Sequence, residues 1–257
     1  MKNLMKSAAL VAILTLAAGC HSSYKLSSIS QTRLVIDSRY DRQPDAATTA
    51  FLQPYKHQVD SIMGPVVGRV AHDMTATRPE SDLSNLLADI LVWAAKDYGE
   101  QPVLGIYNMG GIRSGLSKGE VTYGDVLAIA PFENKIAFTT LSGESLLKLF
   151  QQIAQRGGEG VSRGTELVIT ADGKLVSARL HGKEIDPKAS YRVTSIDYLI
   201  EGNDGLQAFR EGTNPNSPKE HENNSRFIIM NYFKAMTAQG KAVDAKVEGR
   251  VVLRATP

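Results

Sequence analysis

Between Glu80 and Tyr98 the apolar residues Leu83, Leu86, Leu87, Ile90, Leu91 and Ala94 recur every three or four positions. That spacing predicts a helix with a broad buried face, ended by Gly99. The next apolar segment, Val103-Leu-Gly-Ile-Tyr107, is short and uninterrupted, which is the pattern of a buried strand. The rest of the chain alternates in the same way. Strands are expected at Arg33–Asp37, Pro65–Ala71, Lys135–Leu141, Tyr191–Ile196 and Val247–Leu253. Helices are expected at Ala46–Met63, interrupted by Pro54, at Thr122–Ile129, capped by Thr122, and at Phe227–Met236. Ser142 opens a further helix carrying Leu146, Leu149, Phe150 and Ile153, which Gly157-Gly158 stops. Leu167–Thr170 and Leu175–Leu180 flank an Asp-Gly turn and read as a hairpin. The hairpin excludes an all-parallel sheet, so the expected fold class is α+β (mixed α/β) with a mixed sheet and packed helices.

The N-terminus reads as an address. Met1–Lys6 is basic, and Ser7–Gly19 is a thirteen-residue apolar run, too short to span a bilayer, for which about 20 residues are needed. Residues 1–19 therefore read as a signal peptide. The small residues before Cys20 resemble a bacterial lipoprotein signal, in which the cysteine is acylated. Ordinary signal peptidase could cut the same bond and leave a free thiol. With acylation, the protein is an exported cell-envelope lipoprotein, on the periplasmic or surface face of a bacterial membrane, and Cys20 is its lipid anchor. Residues 20–31 are then a Ser-rich tether and 32–257 the folded domain.

Charge narrows the partners. The chain has 29 Lys and Arg against 27 Asp and Glu, and the excess of +2 is accounted for by Lys2 and Lys6. The remainder is neutral, which argues against nucleic acid as a partner. One cysteine excludes a disulfide framework and a multi-cysteine zinc site within one chain.

Three polar loops stand out. Asn108-Met-Gly-Gly-Ile-Arg113 follows the buried strand directly. Paired glycines permit close backbone approach to a ligand, Asn108 offers donor and acceptor, and Arg113 offers a planar fork; a tight turn with a solvated arginine would use the same residues. In Ala130-Pro-Phe-Glu-Asn-Lys135, Phe132 either faces a cleft or fills core. In Asp197-Tyr-Leu-Ile-Glu-Gly-Asn-Asp-Gly205, Asp204 either makes local turn bonds or accepts ribose hydroxyls.

In order and spacing these loops, together with Glu80-Ser-Asp-Leu-Ser-Asn-Leu-Leu-Ala-Asp89 and Tyr123-Gly-Asp-Val-Leu127, resemble the C-terminal domain of the 5'-nucleotidase / UDP-sugar hydrolase family over roughly residues 60 to 253. The resemblance implies a single nucleotide-binding domain. Phe132 and Tyr198 would sandwich the base, Asp204 would bind the ribose, Asn108 would read the base, and Arg113 would lie near ribose and phosphates. Asn134 takes the polar position after the stacking Phe, and Gly111 is the close-approach glycine. Tyr198 stands where the family usually has Phe. Asn203 replaces a Gly and, as Asn tolerates left-handed backbone, is expected to serve as well. Asp82 stands where some members carry an Arg, for which Arg69 or Arg78 could substitute.

In the full-length family, hydrolysis belongs to a metallophosphoesterase domain with Asp-x-His and Gly-Asn-His motifs. None of His21, His57, His72, His181 and His221 lies in such a motif, and His72-Asp73 reads as a surface or capping pair. The resemblance thus implies no catalytic residue, metal ligand or cofactor in this chain. It implies instead the substrate-specificity module of a split 5'-nucleotidase, inactive alone, acting in nucleotide hydrolysis with a separate metallophosphoesterase chain that carries divalent metals. The alternative is a non-catalytic, membrane-anchored nucleoside or nucleotide-binding protein.

Overall fold

The computed structural model describes residues 25–39 and 45–254. The expected signal peptide and Cys20 lie outside the described residues. The chain divides between Phe51 and Leu52 into two units. In the first, residues 25–37 carry no regular secondary structure. Arg33–Asp37 is therefore not the expected strand. An apolar run becomes a strand only when its backbone finds a ladder partner, no described strand pairs with this one, and Leu34 and Ile36 are 78% and 90% exposed. Helix α1, Ala46–Met63, begins in this unit and continues past Pro54.

In the second unit the strands form three sheets. The central one has the order β10 (Thr213–Asn216), β4 (Ile136–Ser142), β9 (Ser190–Ile196), β2 (Leu104–Tyr107) and β5 (Gly160–Val161). Only the β2–β9 pair within it is parallel. A second sheet orders β11 (Val251–Arg254), β6 (Thr165–Thr170), β7 (Leu175–Leu180) and β8 (Lys183–Glu184), and β1 (Val66–Val70) pairs with β3 (Gly119–Thr122). The mixed class expected from the hairpin is the one observed, and the β6–β7 hairpin is antiparallel as its turn predicts.

Helix α2, Asp82–Ala94, buries Leu83, Leu86, Leu87, Ile90, Leu91 and Ala94, the stripe read from the sequence. Ser81 caps it by accepting from the Ser84 amide. The helix lies so close to β2 that a Cβ on Gly105 would fall 2.5 Å from the Ala88 carbonyl oxygen, which explains the glycine inside an otherwise apolar strand. Helix α3, Tyr123–Ile129, is capped by Thr122, and α4, Gly143–Gln155, by Ser142. Leu146, Leu149, Phe150 and Ile153 of α4 are all fully buried. Helix α5 is the single turn Asp197–Ile200, and α6 is Ser225–Ala238.

This topology gathers the three loops. Parallel pairing of β2 with β9 sets the C-terminal ends of both strands side by side, one leading into Asn108 and the other into Asp197. Antiparallel pairing places Ile136 opposite Ile196, so the loop entering β4 lies beside the loop leaving β9. The junction is tied by the Lys135 amide, which donates to Asp197 Oδ1 at 3.0 Å, and by Ser195 Oγ, which donates to the Ile106 carbonyl at 2.7 Å.

The entry to β2 is held by a charge pair. Arg192 on β9 donates from Nε and Nη2 to the two oxygens of Glu100 at 2.7 and 2.5 Å, and Asn216 Nδ2 adds a third bond at 2.9 Å. The Arg192 hydrogen bonds hold the Glu100 carboxyl below its usual range. A carboxyl depressed in the folded state contributes stability above its unfolded pKa, and that contribution is lost as pH falls through the folded pKa. Glu100→Gln should therefore cost about 1.5–3 kcal/mol at neutral pH. The gap to wild type should close on acidification below the unfolded value of about 4, as read by urea denaturation at several pH values.

Candidate functional site

A cleft of about 250 Å³ opens where the loops meet, lined by Asn108, Gly110, Gly111, Phe132, Asn134, Arg156, Tyr198 and Asp204. The three loops picked out in the sequence supply all of these except Arg156. Phe132 and Tyr198 are 46% and 38% exposed, although large aromatic rings gain most from burial. Neither ring pairs with another aromatic among the described residues, whereas Trp93 with Tyr232 and Tyr98 with Phe138 do. Two uncovered π-faces on one cleft form a surface suited to a flat, polarisable ring.

The polar end of the cleft centres on Asp204. Asn108 Nδ2 donates to Asp204 Oδ2 at 2.7 Å, and the Tyr198 hydroxyl donates to Oδ1 at 3.0 Å. The bond to Asp204 is the main cause that raises the Tyr198 phenol above its ordinary pKa. Arg156 Nη2 lies 3.5 Å from Oδ2. Asp204 itself adopts φ 54°, between Gly202 at 81° and Gly205 at 75°. The left-handed residue beside the Asp was expected to be Asn203; it is Asp204, which shares the short polar side chain that tolerates this region. Asn203 instead donates from Nδ2 to the Tyr198 carbonyl at 2.8 Å, fixing the loop.

Asn108 is 4% exposed, and its Oδ1 is buried with no hydrogen-bond partner. That atom sits against Gly111, where a Cβ would fall 2.5 Å away. Gly111 has no positive φ, so it is needed for space rather than conformation. Gly111→Ala should push the Asn108 amide off Asp204 and weaken cleft ligands about tenfold, the worth of roughly one hydrogen bond to a charged group, with the fold intact by circular dichroism. Unchanged affinity would show that Asn108 is not held by this contact.

Arg113 does not line the cleft. It is exposed, and its Nη1 reaches only the Gly110 carbonyl at 3.4 Å. The cation in the cleft wall is Arg156, at the C-terminal end of α4. Its Nε donates to Glu159 Oε1 at 2.5 Å. Glu159 is 1% exposed and also receives the Met109 amide at 2.5 Å and Arg78 Nη2 at 2.9 Å. This carboxylate thereby fastens the Asn108–Gly111 turn to the end of α4. Arg78 is committed to Glu159 and the Gly158 carbonyl, and Arg69 lines a different cleft. Asp82 accepts from the Thr75 amide at 2.9 Å and the Leu83 amide at 2.7 Å, so it ties the preceding loop to the start of α2.

A family model for the 5'-nucleotidase C-terminal domain matches residues 66–211. The chain belongs to this family. The 5'-nucleotidase C-terminal domain accounts for the loops and for the sheet that presents them. Protein UshA of Yersinia enterocolitica is 30% identical over 162 residues, 61% of this chain and 28% of UshA. The 5'-nucleotidase of Vibrio vulnificus is 28% identical over 183 residues, 67% of this chain and 32% of that protein. The chain thus spans about a third or less of these relatives. The crystal structure of a 5'-nucleotidase precursor from Thermus thermophilus superposes with a TM-score of 0.68 at 26% identity, over 82% of this chain and 43% of that one.

Elsewhere in this 5'-nucleotidase C-terminal domain, His72 sits between Asp82 and Asp244, with Nε2 and Nδ1 at 3.4 and 3.3 Å, while Asp73 accepts the Lys118 amide at 2.6 Å. Among the described residues no group of three or more His, Cys, Asp or Glu is arranged to hold a metal ion.

Proposed function

We propose that the cleft binds nucleosides and nucleotides, and that the chain is the substrate-specificity module of a split 5'-nucleotidase. The observation that carries this reading is the pairing of two uncovered rings, Phe132 and Tyr198, with a carboxyl acceptor, Asp204, in one small cleft. The rings take the base. Asp204, which as a carboxylate only accepts, takes a sugar hydroxyl. Asn108 and Asn134 supply amide groups for base edges or sugar. A separate metallophosphoesterase chain brings the divalent metals and the phosphate-ester hydrolysis, as part of nucleotide catabolism. The names of the relatives, which include 5'-nucleotidases, support this assignment. Adenosine and AMP should each raise the melting temperature of the full chain, as ligands of the native state do, and ribose 5-phosphate, which lacks the base, should raise it less. Mixing with a metallophosphoesterase chain and Mn²⁺ should then release phosphate from AMP. Failure of every such partner to add activity would remove the split-enzyme part.

A specific observation favours a second reading, a non-catalytic nucleoside receptor. Among the described residues Arg156 is the one cation that lines the cleft, it already faces two carboxylates, and Arg113 stands outside. Among these residues a phosphate thus finds no free cation in the cleft wall. Adenosine binding tighter than AMP would support the receptor. In either reading we propose that Cys20 is acylated and holds an exported protein at the cell envelope. Incorporation of an alkyne fatty acid, lost in Cys20→Ser, tests the anchor.

A further inference from the structure

Arg156 brings N–H groups to the cleft that the protein itself does not use. A guanidinium donates from Nε and from both Nη nitrogens. The Nε–H is spent on Glu159 Oε1 at 2.5 Å. Among the described residues neither Nη group makes a hydrogen bond; Nη2 lies 3.5 Å from Asp204 Oδ2, which is an ion-pair contact. The side chain lines the cleft and is 29% exposed, so these donors are open to its contents. Its charge, by contrast, is already offset by Glu159 and Asp204. A second anion would meet the field of both carboxylates, whereas a neutral oxygen can take the unspent N–H groups. Asp204 Oδ2 receives Asn108 Nδ2 at 2.7 Å and, like any carboxylate oxygen, has room for a second donor. A sugar hydroxyl in that place lies beside the Arg156 Nη groups. It can give its proton to Oδ2 and accept an N–H from Arg156 at the same time. Asn108 is buried and Arg156 is clamped by Glu159, so both walls of this seat stand without a ligand.

Resting on the nucleoside-binding reading, we infer that Arg156 is a specificity-determining residue: with Asp204 Oδ2 it reads one sugar hydroxyl in both directions, as donor and as acceptor. The ligand class is nucleosides, with or without a 5′-phosphate, whose sugar keeps that hydroxyl unsubstituted. The other hydroxyl of a ribose falls to Asp204 Oδ1, which carries the Tyr198 hydroxyl at 3.0 Å. The two hydroxyls are therefore read unequally, one by two charged groups and one by a carboxylate alone.

The test is calorimetric titration of the full chain and of Arg156→Met with adenosine, 2′-deoxyadenosine and 3′-deoxyadenosine. On wild type, one of the two monodeoxynucleosides is expected about a hundredfold weaker than adenosine, since it loses two hydrogen bonds to charged groups at about tenfold each. On Arg156→Met that ratio should fall to about tenfold, while the ratio for the other monodeoxynucleoside stays the same. An arginine that only shapes the cleft through Glu159 would weaken all three ligands alike on removal. Ratios unchanged in the variant, or equal affinities for all three ligands on wild type, therefore overturn the inference while nucleoside binding stands. Should Arg156→Met fail to fold, the wild-type crystal structure with adenosine decides. An Arg156 Nη within hydrogen-bonding distance of a sugar hydroxyl that also reaches Asp204 upholds the inference, and one beyond reach of every sugar oxygen overturns it. Absence of adenosine binding by wild type overturns both the inference and the reading it rests on.

Discussion

Glu159→Ala is expected to lower the unfolding free energy by about 3–5 kcal/mol, the cost of removing one partner from a buried charge cluster, and to abolish ligand binding in the cleft. Glu159 stands on the short link between α4 and β5, and its side chain is fully buried. Three donors converge on it: the Met109 amide, Arg156 Nε and Arg78 Nη2. Deleting the carboxylate strands a buried amide and leaves two guanidinium groups facing one another across a void. Both arginines remain partly exposed, so water can reach them and the loss should fall toward the lower end. Glu159→Gln keeps the volume and the Met109 bond but removes the charge, and should lose less. A shift in urea midpoint worth under 0.5 kcal/mol for Glu159→Ala, the range of ordinary surface substitutions, would mean that the cluster does not hold the Asn108–Gly111 turn.

The second large effect concerns binding. Phe132→Ala should weaken adenosine and AMP by about 1–3 kcal/mol, the usual worth of one base–aromatic contact. Phe132 is the cleaner probe of the two rings. It is 46% exposed and makes no side-chain hydrogen bond, so its removal should leave stability unchanged. Tyr198→Ala should cost a similar amount through the lost face, although it also frees Asp204 Oδ1. Ribose 5-phosphate, which has no base, should lose little in either variant. An equal loss for ligands with and without a base would show that the rings pack the cleft wall rather than stack on a base.

What was legible in the sequence was what local chemistry decides. The α2 stripe, the β2 run, the Thr122 and Ser142 caps and the Asp-Gly hairpin each rest on residues within a few positions of one another, and each formed. The site loops were legible because they directly join strand ends, where glycine, asparagine and an uncovered aromatic have few packing duties. Arg156 was missed because it looks like the basic end of an amphipathic helix, and the Arg-Gly-Gly-Glu run after α4 reads only as a helix stop. Its role depends on Glu159 and on Asp204, 48 positions away. The buried Glu was the available signal: a carboxylate between glycines in an apolar context needs a cation. Arg113 is not among the residues that line the cleft; its place beside the glycines says nothing of where its guanidinium turns. The strands β5, β8 and β10 carry two, two and four residues. They exist through their ladder partners alone, and no periodicity announces them.

Central to the proposed function is that the rings of Phe132 and Tyr198 and the carboxylate of Asp204 together form a nucleoside site. A crystal structure of the full chain grown with adenosine tests it most directly. The purine is expected between the two rings, with a sugar hydroxyl within hydrogen-bonding distance of Asp204. Adenosine bound elsewhere, or a cleft without adenosine at saturating concentration, would contradict it.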